Sequence, residues 1–117
     1  MNILIQGAGR GIGLALAQQA LSVGAEKLFL TARQPVSSAG FAQLGADDPI
    51  NWLPLDVTDS VSLTAAASAV RESVPRLDRV ICTAGMLQDD SIRPEKRIAD
   101  LEADNLTRLF QVNALGP

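Results

Sequence analysis

Short apolar runs alternate with longer stretches of helical periodicity along the chain. The runs have the length and composition of buried strands, and they are Asn2–Gln6, Lys27–Thr31, Asn51–Leu55 and Leu77–Cys82. Because Pro54 lacks a backbone N–H, the third of these strands is expected at the edge of a sheet. Strand–helix alternation of this kind implies right-handed crossovers and a parallel sheet with helices on both faces. The pattern therefore predicts an α/β fold with a doubly wound parallel sheet of the Rossmann type.

Two clear helical patterns lie between the strands. The first is almost free of charged residues, so we expect it to be largely covered, and Gly24 is its natural end. Its apolar stripe consists of Ile12, Leu16 and Ala20, flanked by Gly13, Ala17 and Leu21. The second can be capped by Thr58 or Asp59 and ends at Pro75. Its expected buried stripe is Leu63, Ala66, Ala67, Val70 and Val74.

Other segments are less regular. Gln34–Asp48 carries proline, serine and glycine, and it is expected to hold at most a short helix around Gly40–Leu44. The polar stretch Met86–Lys96 is interpreted as a solvated loop, with a substrate lid as the alternative. The buried side of a last helix would consist of Leu101, Leu106, Leu109, Phe110 and Val112.

Composition narrows the class of protein. The chain has 117 residues, 47% of them apolar, which fits one globular domain with a sizeable core. Its net charge of −3, without any block of Lys or Arg, argues against nucleic-acid and membrane-surface binding. Neither a signal peptide nor a transmembrane helix is expected, and no metal site is predicted. The single cysteine, Cys82, is expected in the core, and the absence of a possible internal disulfide fits a reducing cytoplasm.

Glycines cluster where the first strand meets the first helix. Ile12 stands where the third glycine of the usual G-x-G-x-x-G would be, but the spacing G-x-x-x-G-x-G fits. Glycine permits a positive φ and lets a phosphate approach the N–H groups at a helix N-terminus. The turn is predicted to bind the pyrophosphate of a dinucleotide, and the alternative is a tight turn without a ligand. The residues predicted to contact the cofactor are Gly7, Gly9, Arg10, Gly11, Ile12 and Gly13.

The end of the second strand indicates which dinucleotide is bound. A site for NAD(H) usually has Asp or Glu there, which binds the adenosine ribose hydroxyls. The sequence at 30–33 reads LTAR and contains no carboxylate. Arg33, with Arg10 approaching from the glycine turn, can instead donate charge-assisted hydrogen bonds to a 2′-phosphate. We therefore predict NADP(H) as the cofactor, the alternative being that both arginines are solvated surface residues.

Three further motifs lie after the third strand, after the fourth strand and within the last helix: Asp56-Val57, Thr83-Ala84-Gly85 and Val112-Asn113. Together with the glycine turn, their order and spacing resemble those of the short-chain dehydrogenases/reductases. Within that family the chain looks most similar to small NADPH-dependent carbonyl reductases and C-factor-like signalling proteins. The resemblance implies that Asp56 and Val57 contact the adenine ring, and that Thr83, Ala84 and Gly85 also belong to the cofactor site. It makes Asn113 a catalytic residue, one member of a Ser-Tyr-Lys-Asn set.

The resemblance also implies hydride transfer between the nicotinamide and a small carbonyl or alcohol substrate. In the family, the tyrosine and lysine of the set lie beyond the helix that carries Asn113, and this chain has no tyrosine. We therefore expect residues 1–117 to be an incomplete NADP(H)-binding domain, inactive by itself, of a protein that forms homo-oligomers. Without a fifth strand, the fourth would be an exposed apolar edge.

The sequence departs from the family pattern at two places. Gln6 replaces the usual Thr before the first glycine, and Cys82-Thr83 replaces two asparagines, one of which supports the central strand. The hydroxyl of Thr83 can partly take over that support. For Asp56 the alternative is that it only caps a turn, and for Asn113 that it only ends a helix.

Other functions remain open at this point. The main alternative is a non-catalytic nucleotide-binding or signalling module, C-factor-like, that acts through partner contacts. A methyltransferase generally requires a carboxylate where Arg33 stands, and a sugar-nucleotide epimerase prefers a G-x-x-G-x-x-G turn, which Arg10 breaks.

Overall fold

The sheet has four parallel strands. In the computed structural model, which describes all of residues 1–117, they are β1 (Asn2–Gln6), β2 (Lys27–Ala32), β3 (Ile50–Pro54) and β4 (Arg79–Cys82). Every pairing is parallel, and the order across the sheet is β3-β2-β1-β4. β3 therefore lies at one edge, as Pro54 predicts, and β4 lies at the other. The predicted doubly wound parallel sheet is confirmed.

Three α-helices connect the strands, and a fourth follows β4. They are α1 (Gly11–Ser22), α2 (Ala39–Leu44), α3 (Ser60–Ser73) and α4 (Ala103–Phe110), and α4 continues into a π-helical turn, Gln111–Leu115. Asp59 caps α3, since its carboxylate accepts hydrogen bonds from the backbone N–H groups of Val61 (3.1 Å) and Ser62 (3.3 Å). The predicted cap and the short helix α2 are both confirmed. No helix is both long and apolar enough to span a membrane.

The core lies on both faces of the sheet. On one face β1 and β2 pack against α1, and the most deeply buried members of this cluster are Ile5, Ala8, Ala17, Leu28 and Leu30. On the other face Phe29 of β2 packs against Val70 and Val74 of α3. Because successive side chains of a strand point to opposite faces, the central strands are buried on both sides.

The structure corrects the expected burial of α1 and α3. Ile12 is 75% exposed, because α1 buries Gly13 and Leu14 in its first turn instead. The expectation that this helix is largely covered is also wrong, since much of the opposite side of α1 faces solvent. Ala67 is exposed on α3, where Ala66 and Val70 are the buried positions. In both helices the buried stripe is narrower than the apolar pattern indicates.

The part of the sheet around β4 is the least covered. β4 begins at Arg79 rather than at Leu77, and it pairs only with β1, so Val80 is 55% exposed, as expected for an apolar edge. Cys82 is exposed rather than part of the core, because nothing pairs with the outer side of β4. The side of α4 that was expected to be buried is also open, because α4 makes little contact with the sheet. The exposed residues of this expected face are Leu106 (45%) and Phe110 (61%) of α4 and Leu101 (46%), which precedes it, whereas Leu109 of α4 and Val112 of the π-helical turn are half-buried.

Candidate cofactor-binding site

The predicted site residues lie where the strands end. Gln6 is level with Cys82, and Ala32 with Pro54. Because all four strands are parallel, the segments that follow them meet at one edge of the sheet. These segments are Gly7–Gly13, Arg33, Asp56-Val57 and Thr83-Ala84-Gly85. Ligands of doubly wound sheets bind at this edge, where the strand order reverses between β1 and β4.

The glycines of the turn are required for different reasons. Gly7 (φ +85°) and Gly11 (φ +55°) have the left-handed backbone that side chains disfavour. A Cβ at Gly7 would also lie 2.9 Å from the backbone nitrogen of Ala84, so Gly7 lets the turns after β1 and β4 approach each other. A Cβ at Gly13 would collide with the carbonyl oxygen of Gly7 and lie 2.6 Å from Oγ1 of Thr83. A Cβ at Gly11 would meet nothing within 4 Å, so the space beside that residue is open.

The start of α1 directs free hydrogen-bond donors towards this open space. Arg10 is the N-cap residue, but no side chain caps the helix and its first turn has no acidic residue. The backbone N–H groups of Gly11, Ile12 and Gly13 have no acceptor within the chain. A helix N-terminus carries about half a positive elementary charge, and its free N–H groups bind anions. This arrangement fits the pyrophosphate of a dinucleotide.

Two threonines hold the glycine turn in place. Thr31, only 1% exposed, accepts hydrogen bonds from the N–H of Gly7 at Oγ1 (3.3 Å) and from the N–H of Ala8 at its carbonyl (2.8 Å). The Thr83 hydroxyl donates to the carbonyl oxygens of Gln6 (2.7 Å) and Gly7 (3.2 Å). The support of β1 by Thr83 is thus confirmed. Thr31 belongs to none of the sequence motifs, and its only signal is a polar residue within an apolar strand.

Arg10 and Arg33 start from neighbouring parts of the backbone. A Cβ at Gly9, which precedes Arg10, would lie 3.2 Å from the Cβ of Ala32, which precedes Arg33. Both arginine side chains are exposed, and neither forms an ion pair within the chain. The edge between β1 and β2 therefore presents two guanidinium groups that are free to bind an anion.

Asp56 forms a turn and retains its charge. Its Oδ1 accepts hydrogen bonds from the hydroxyl (2.7 Å) and the backbone N–H (2.9 Å) of Thr58. These bonds lower the pKa of Asp56 below its ordinary value of 3.8, and the positive charges of Arg33 and Arg108 lower it further. The turn that the sequence left as an alternative for Asp56 is present, and Oδ2 has no partner within the chain. The adenine contact of Asp56 and Val57 stays a prediction.

Asn113 forms two hydrogen bonds with the backbone of the segment that follows β4. Its Oδ1 accepts a hydrogen bond from the backbone N–H of Met86 (2.7 Å), and its Nδ2 donates to the Met86 carbonyl (2.6 Å). Oδ1 would also lie 3.5 Å from a Cβ at Gly85. Asn113 lies in the π-helical turn, and such turns are frequent at functional sites. The structure therefore brings Asn113 next to Thr83-Ala84-Gly85 at the carboxyl edge.

Comparison with known proteins agrees with this geometry. The family described as short chain dehydrogenase matches residues 1–117, which is the whole chain. The chain belongs to this family. Its membership explains why glycine-turn, Asp-Val, Ala-Gly and Asn motifs occur together in one order.

Among relatives within the short-chain dehydrogenase family, the chain is 31% identical over 113 residues to a 3-oxoacyl-[acyl-carrier-protein] reductase of Mycobacterium avium. This match covers 95% of the chain and 40% of the relative. An NADPH-bound carbonyl reductase from chicken fatty liver superposes with a TM-score of 0.84 at 28% identity, over 99% of this chain and 46% of that one. A carbonyl reductase from Pseudomonas aeruginosa in complex with NADP gives a TM-score of 0.79 at 30% identity, over 100% and 51%.

The chain thus spans less than half the length of these relatives: 40% of the Mycobacterium avium enzyme and 38% of an oxidoreductase from Botryotinia fuckeliana, to which it is 29% identical over 112 residues. The similarity to the two carbonyl reductases agrees with the resemblance deduced from the motifs.

Proposed function

We propose that the chain holds NADP(H) in a reductase of small carbonyl compounds. The observation that carries this proposal is the basic edge beside β2, where Arg33 and Arg10 are exposed and unpaired next to the free N–H groups of α1. A carboxylate at the end of β2 would repel a 2′-phosphate, whereas a guanidinium can donate two parallel hydrogen bonds to it. The similarity to carbonyl reductases that are bound to NADPH and NADP supports the proposal.

Each part of the site would hold one part of the cofactor. The N–H groups of Gly11–Gly13 would bind the pyrophosphate, and Arg33 with Arg10 would bind the 2′-phosphate. Asp56-Val57 would contact the adenine ring, and Thr83–Gly85 would border the cofactor beside β4. The bound cofactor would supply hydride transfer, while the chain supplies binding and orientation.

Catalysis would need groups beyond those of this chain. The family's reaction uses a tyrosine as general acid or base, and the chain contains none. We propose that residues 1–117 form the cofactor-binding half of the domain, and that the serine, tyrosine and lysine belong to the remainder of the protein. Asn113, which is anchored on Met86, would be the member of the catalytic set that this half contributes.

A comparison of NADPH and NADH binding tests the choice of cofactor. Trp52 is the only tryptophan and packs against α2, whose Gly40 N–H donates to the carbonyl of Gly9 in the glycine turn (2.8 Å). Its fluorescence is therefore a built-in reporter of the site. We expect NADPH to quench Trp52 with a Kd at least about tenfold lower than that of NADH. Equal affinities would contradict the proposal.

An activity assay then separates a reductase from a non-catalytic module. In the complete protein, oxidation of NADPH should depend on an added aldehyde or ketone and should cease when the candidate tyrosine is replaced by phenylalanine. Tight NADPH binding without turnover of any such substrate would favour the signalling module instead.

A further inference from the structure

The segment after β4 is organised by one carboxylate. Oδ1 of Asp89 accepts hydrogen bonds from the backbone N–H groups of Ser91 (2.8 Å) and Ile92 (2.8 Å) and from the Ser91 hydroxyl (2.9 Å). The N–H of Asp89 donates to the Ile92 carbonyl (3.0 Å), and Ile92 is only 2% exposed. Met86–Ile92 is therefore a defined turn, which we name the Asp89 turn, although it contains no helix or strand.

Helix α4 and its π-helical extension hold both ends of the Asp89 turn. Nη2 of Arg108 lies 2.8 Å from Oδ2 of Asp89, and Nη1 donates to the Ser91 hydroxyl (3.2 Å). At the other end of the turn, Asn113 forms hydrogen bonds with both the backbone N–H and the carbonyl of Met86. The side chains of Arg108 and Asp89 are 47% and 28% exposed, so solvent and salt screen this ion pair less than a fully exposed one.

Arg108 also acts on the segment that follows β3. After the hydrogen bonds from Thr58 and the charge of Arg33, its positive charge is a further cause of the lowered pKa of Asp56. The end of the same helix packs there too, since a Cβ at Gly116 would lie 2.7 Å from the carbonyl oxygen of Val57. Helix α4 and its extension therefore reach the segments that follow β3 and β4, through Gly116 and Arg108 respectively.

The strand order determines which half of a dinucleotide the Asp89 turn would border. With the order β3-β2-β1-β4, a 2′-phosphate bound by Arg33 would lie at the end of β2, and the pyrophosphate would lie at the start of α1, beside β1. The rest of the cofactor would extend towards β4, because dinucleotides bind across the point where the strand order reverses. The Asp89 turn follows β4 directly.

We propose that Arg108 is a positioning residue, which holds the Asp89 turn beside the nicotinamide half of the cofactor. The proposal rests on the proposed function, because it requires NADP(H) to bind at the carboxyl edge. Arg108 itself touches no cofactor: it acts through the turn that it anchors. Its planar guanidinium contacts Asp89 through Nη2 and Ser91 through Nη1, whereas a lysine would have to reach both acceptors from a single nitrogen.

Two ligands separate the halves of the cofactor in the test. NADPH contains both halves, whereas adenosine 2′,5′-bisphosphate carries the 2′-phosphate but no nicotinamide. In the complete protein, Arg108→Gln should weaken NADPH binding about tenfold and change the affinity for adenosine 2′,5′-bisphosphate by less than about twofold. Arg108→Lys, which keeps the charge, should recover part of the NADPH affinity. Arg33→Ala should weaken the binding of both ligands.

Hydrogen–deuterium exchange gives a readout that needs no cofactor. In unliganded Arg108→Gln, the amides of Ser91 and Ile92 should exchange at least about fivefold faster, while exchange in β1 stays unchanged. Arg97→Gln removes the surface ion pair with Asp100 (2.9 Å) and is the matched control, expected to leave these amides unaffected.

The possible failures are distinguishable. Unchanged exchange at Ser91 and Ile92 in Arg108→Gln overturns the proposal even where both ligands bind the wild-type protein. Equal weakening of both ligands by Arg108→Gln also overturns it, because the effect would then not be confined to the nicotinamide half. If the wild-type protein binds neither ligand, the proposed function fails, and the assigned role of Arg108 fails with it.

Discussion

The strand order reverses between β1 and β4, and different interactions stabilise the two regions on either side of this point. β1, β2 and α1 pack through apolar side chains, and Ile5 and Leu30 are completely buried. On the other side Val80 of β4 and Phe110 of α4 are 55% and 61% exposed, and polar bonds such as those of Asp89 join the elements. Burying one large apolar side chain contributes about 1.5–3 kcal/mol, whereas a partly exposed ion pair contributes about 1 kcal/mol or less.

This difference corresponds to a division of the site. The apolar side carries the glycine turn, whose backbone donors have a fixed direction without any ligand, and this preorganisation would favour the proposed binding of a pyrophosphate. The polar side carries Asn113 and the Asp89 turn, which are held by side-chain hydrogen bonds from one helix. In the proposed cofactor site, phosphate recognition would thus depend on packing, whereas the region beside β4 depends on a few specific hydrogen bonds and one ion pair.

The largest expected effect comes from a comparison of two glycine-to-alanine substitutions, one in the apolar region and one in the polar region. Gly13→Ala places a Cβ on the carbonyl of Gly7 within the packed side, and it should lower the free energy of unfolding by about 3 kcal/mol. Gly116→Ala places one 2.7 Å from the carbonyl oxygen of Val57, but the exposed π-helical turn can shift, so the loss should be about 1 kcal/mol or less. Urea denaturation measures both. Equal losses would show that the two sides are equally rigid.

Removal of the Arg33 guanidinium tests the proposal that the apolar region binds the 2′-phosphate of NADP(H). Arg33→Ala should weaken NADPH binding by about 1.5–3 kcal/mol, the contribution of a hydrogen bond to a charged group, and leave NADH binding nearly unchanged. Titration calorimetry with both cofactors checks this. Arg97→Ala is the control, because the Arg97 guanidinium is bound to Asp100. A similar loss for both cofactors would refute the 2′-phosphate assignment.

Removal of one hydroxyl on each side should have smaller effects of different size. Thr31→Val leaves the N–H of Gly7 without its side-chain acceptor in the core, and it should cost about 2 kcal/mol of stability. Thr83→Val should cost about 1 kcal/mol, because the carbonyl of Gln6 keeps its bond from the Thr83 N–H (2.9 Å). Thr83→Ser retains the hydroxyl and serves as the control. A larger loss for Thr83→Val would reverse the comparison.

The smallest expected effect is the change in stability with pH that the Asp89 carboxylate causes. The N–H groups of Ser91 and Ile92 lower the pKa of Asp89 below its ordinary value of 3.8. A carboxyl group with a lowered folded-state pKa stabilises the fold fully above its unfolded-state pKa, and this contribution is lost as the pH falls through the folded-state value. Stability from Asp89 should therefore be constant from neutral pH to about pH 5 and decrease below about pH 4.

Amide resonances of Ser91 and Ile92 followed during acidification measure this transition. Asp89→Asn keeps an oxygen acceptor but cannot titrate, so its resonances should lack the transition. If Asp89→Asn and the wild-type protein respond identically between pH 5 and pH 3, the Asp89 carboxylate does not hold the turn.

The sequence by itself determined the features that neighbouring residues encode. The strand positions, the α3 cap and the glycine turn agree with the structure, because apolar runs, a capping Asp59 and Gly7–Gly13 act within one element or one turn. The absence of a carboxylate at the end of β2 is likewise a local property, and it determined the prediction of NADP(H). What it could not determine is which apolar residues would be covered: Ile12 and Cys82 are exposed because burial depends on the element packed against a residue.

The tertiary structure decided the contacts between distant residues. Asn113 and Met86 are 27 positions apart, and Thr31 meets Gly7 across 24. Neither contact follows from periodicity or composition, since each depends on which strand lies beside which and how far a helix reaches over the sheet. The same holds for Arg108. Nothing in the sequence distinguishes it from other helical arginines, and its ion pair with Asp89 exists only because the turn after β4 brings Asp89 close to α4. Hydrogen bonds between side chains require particular positions in space, and these exist only once the chain has packed.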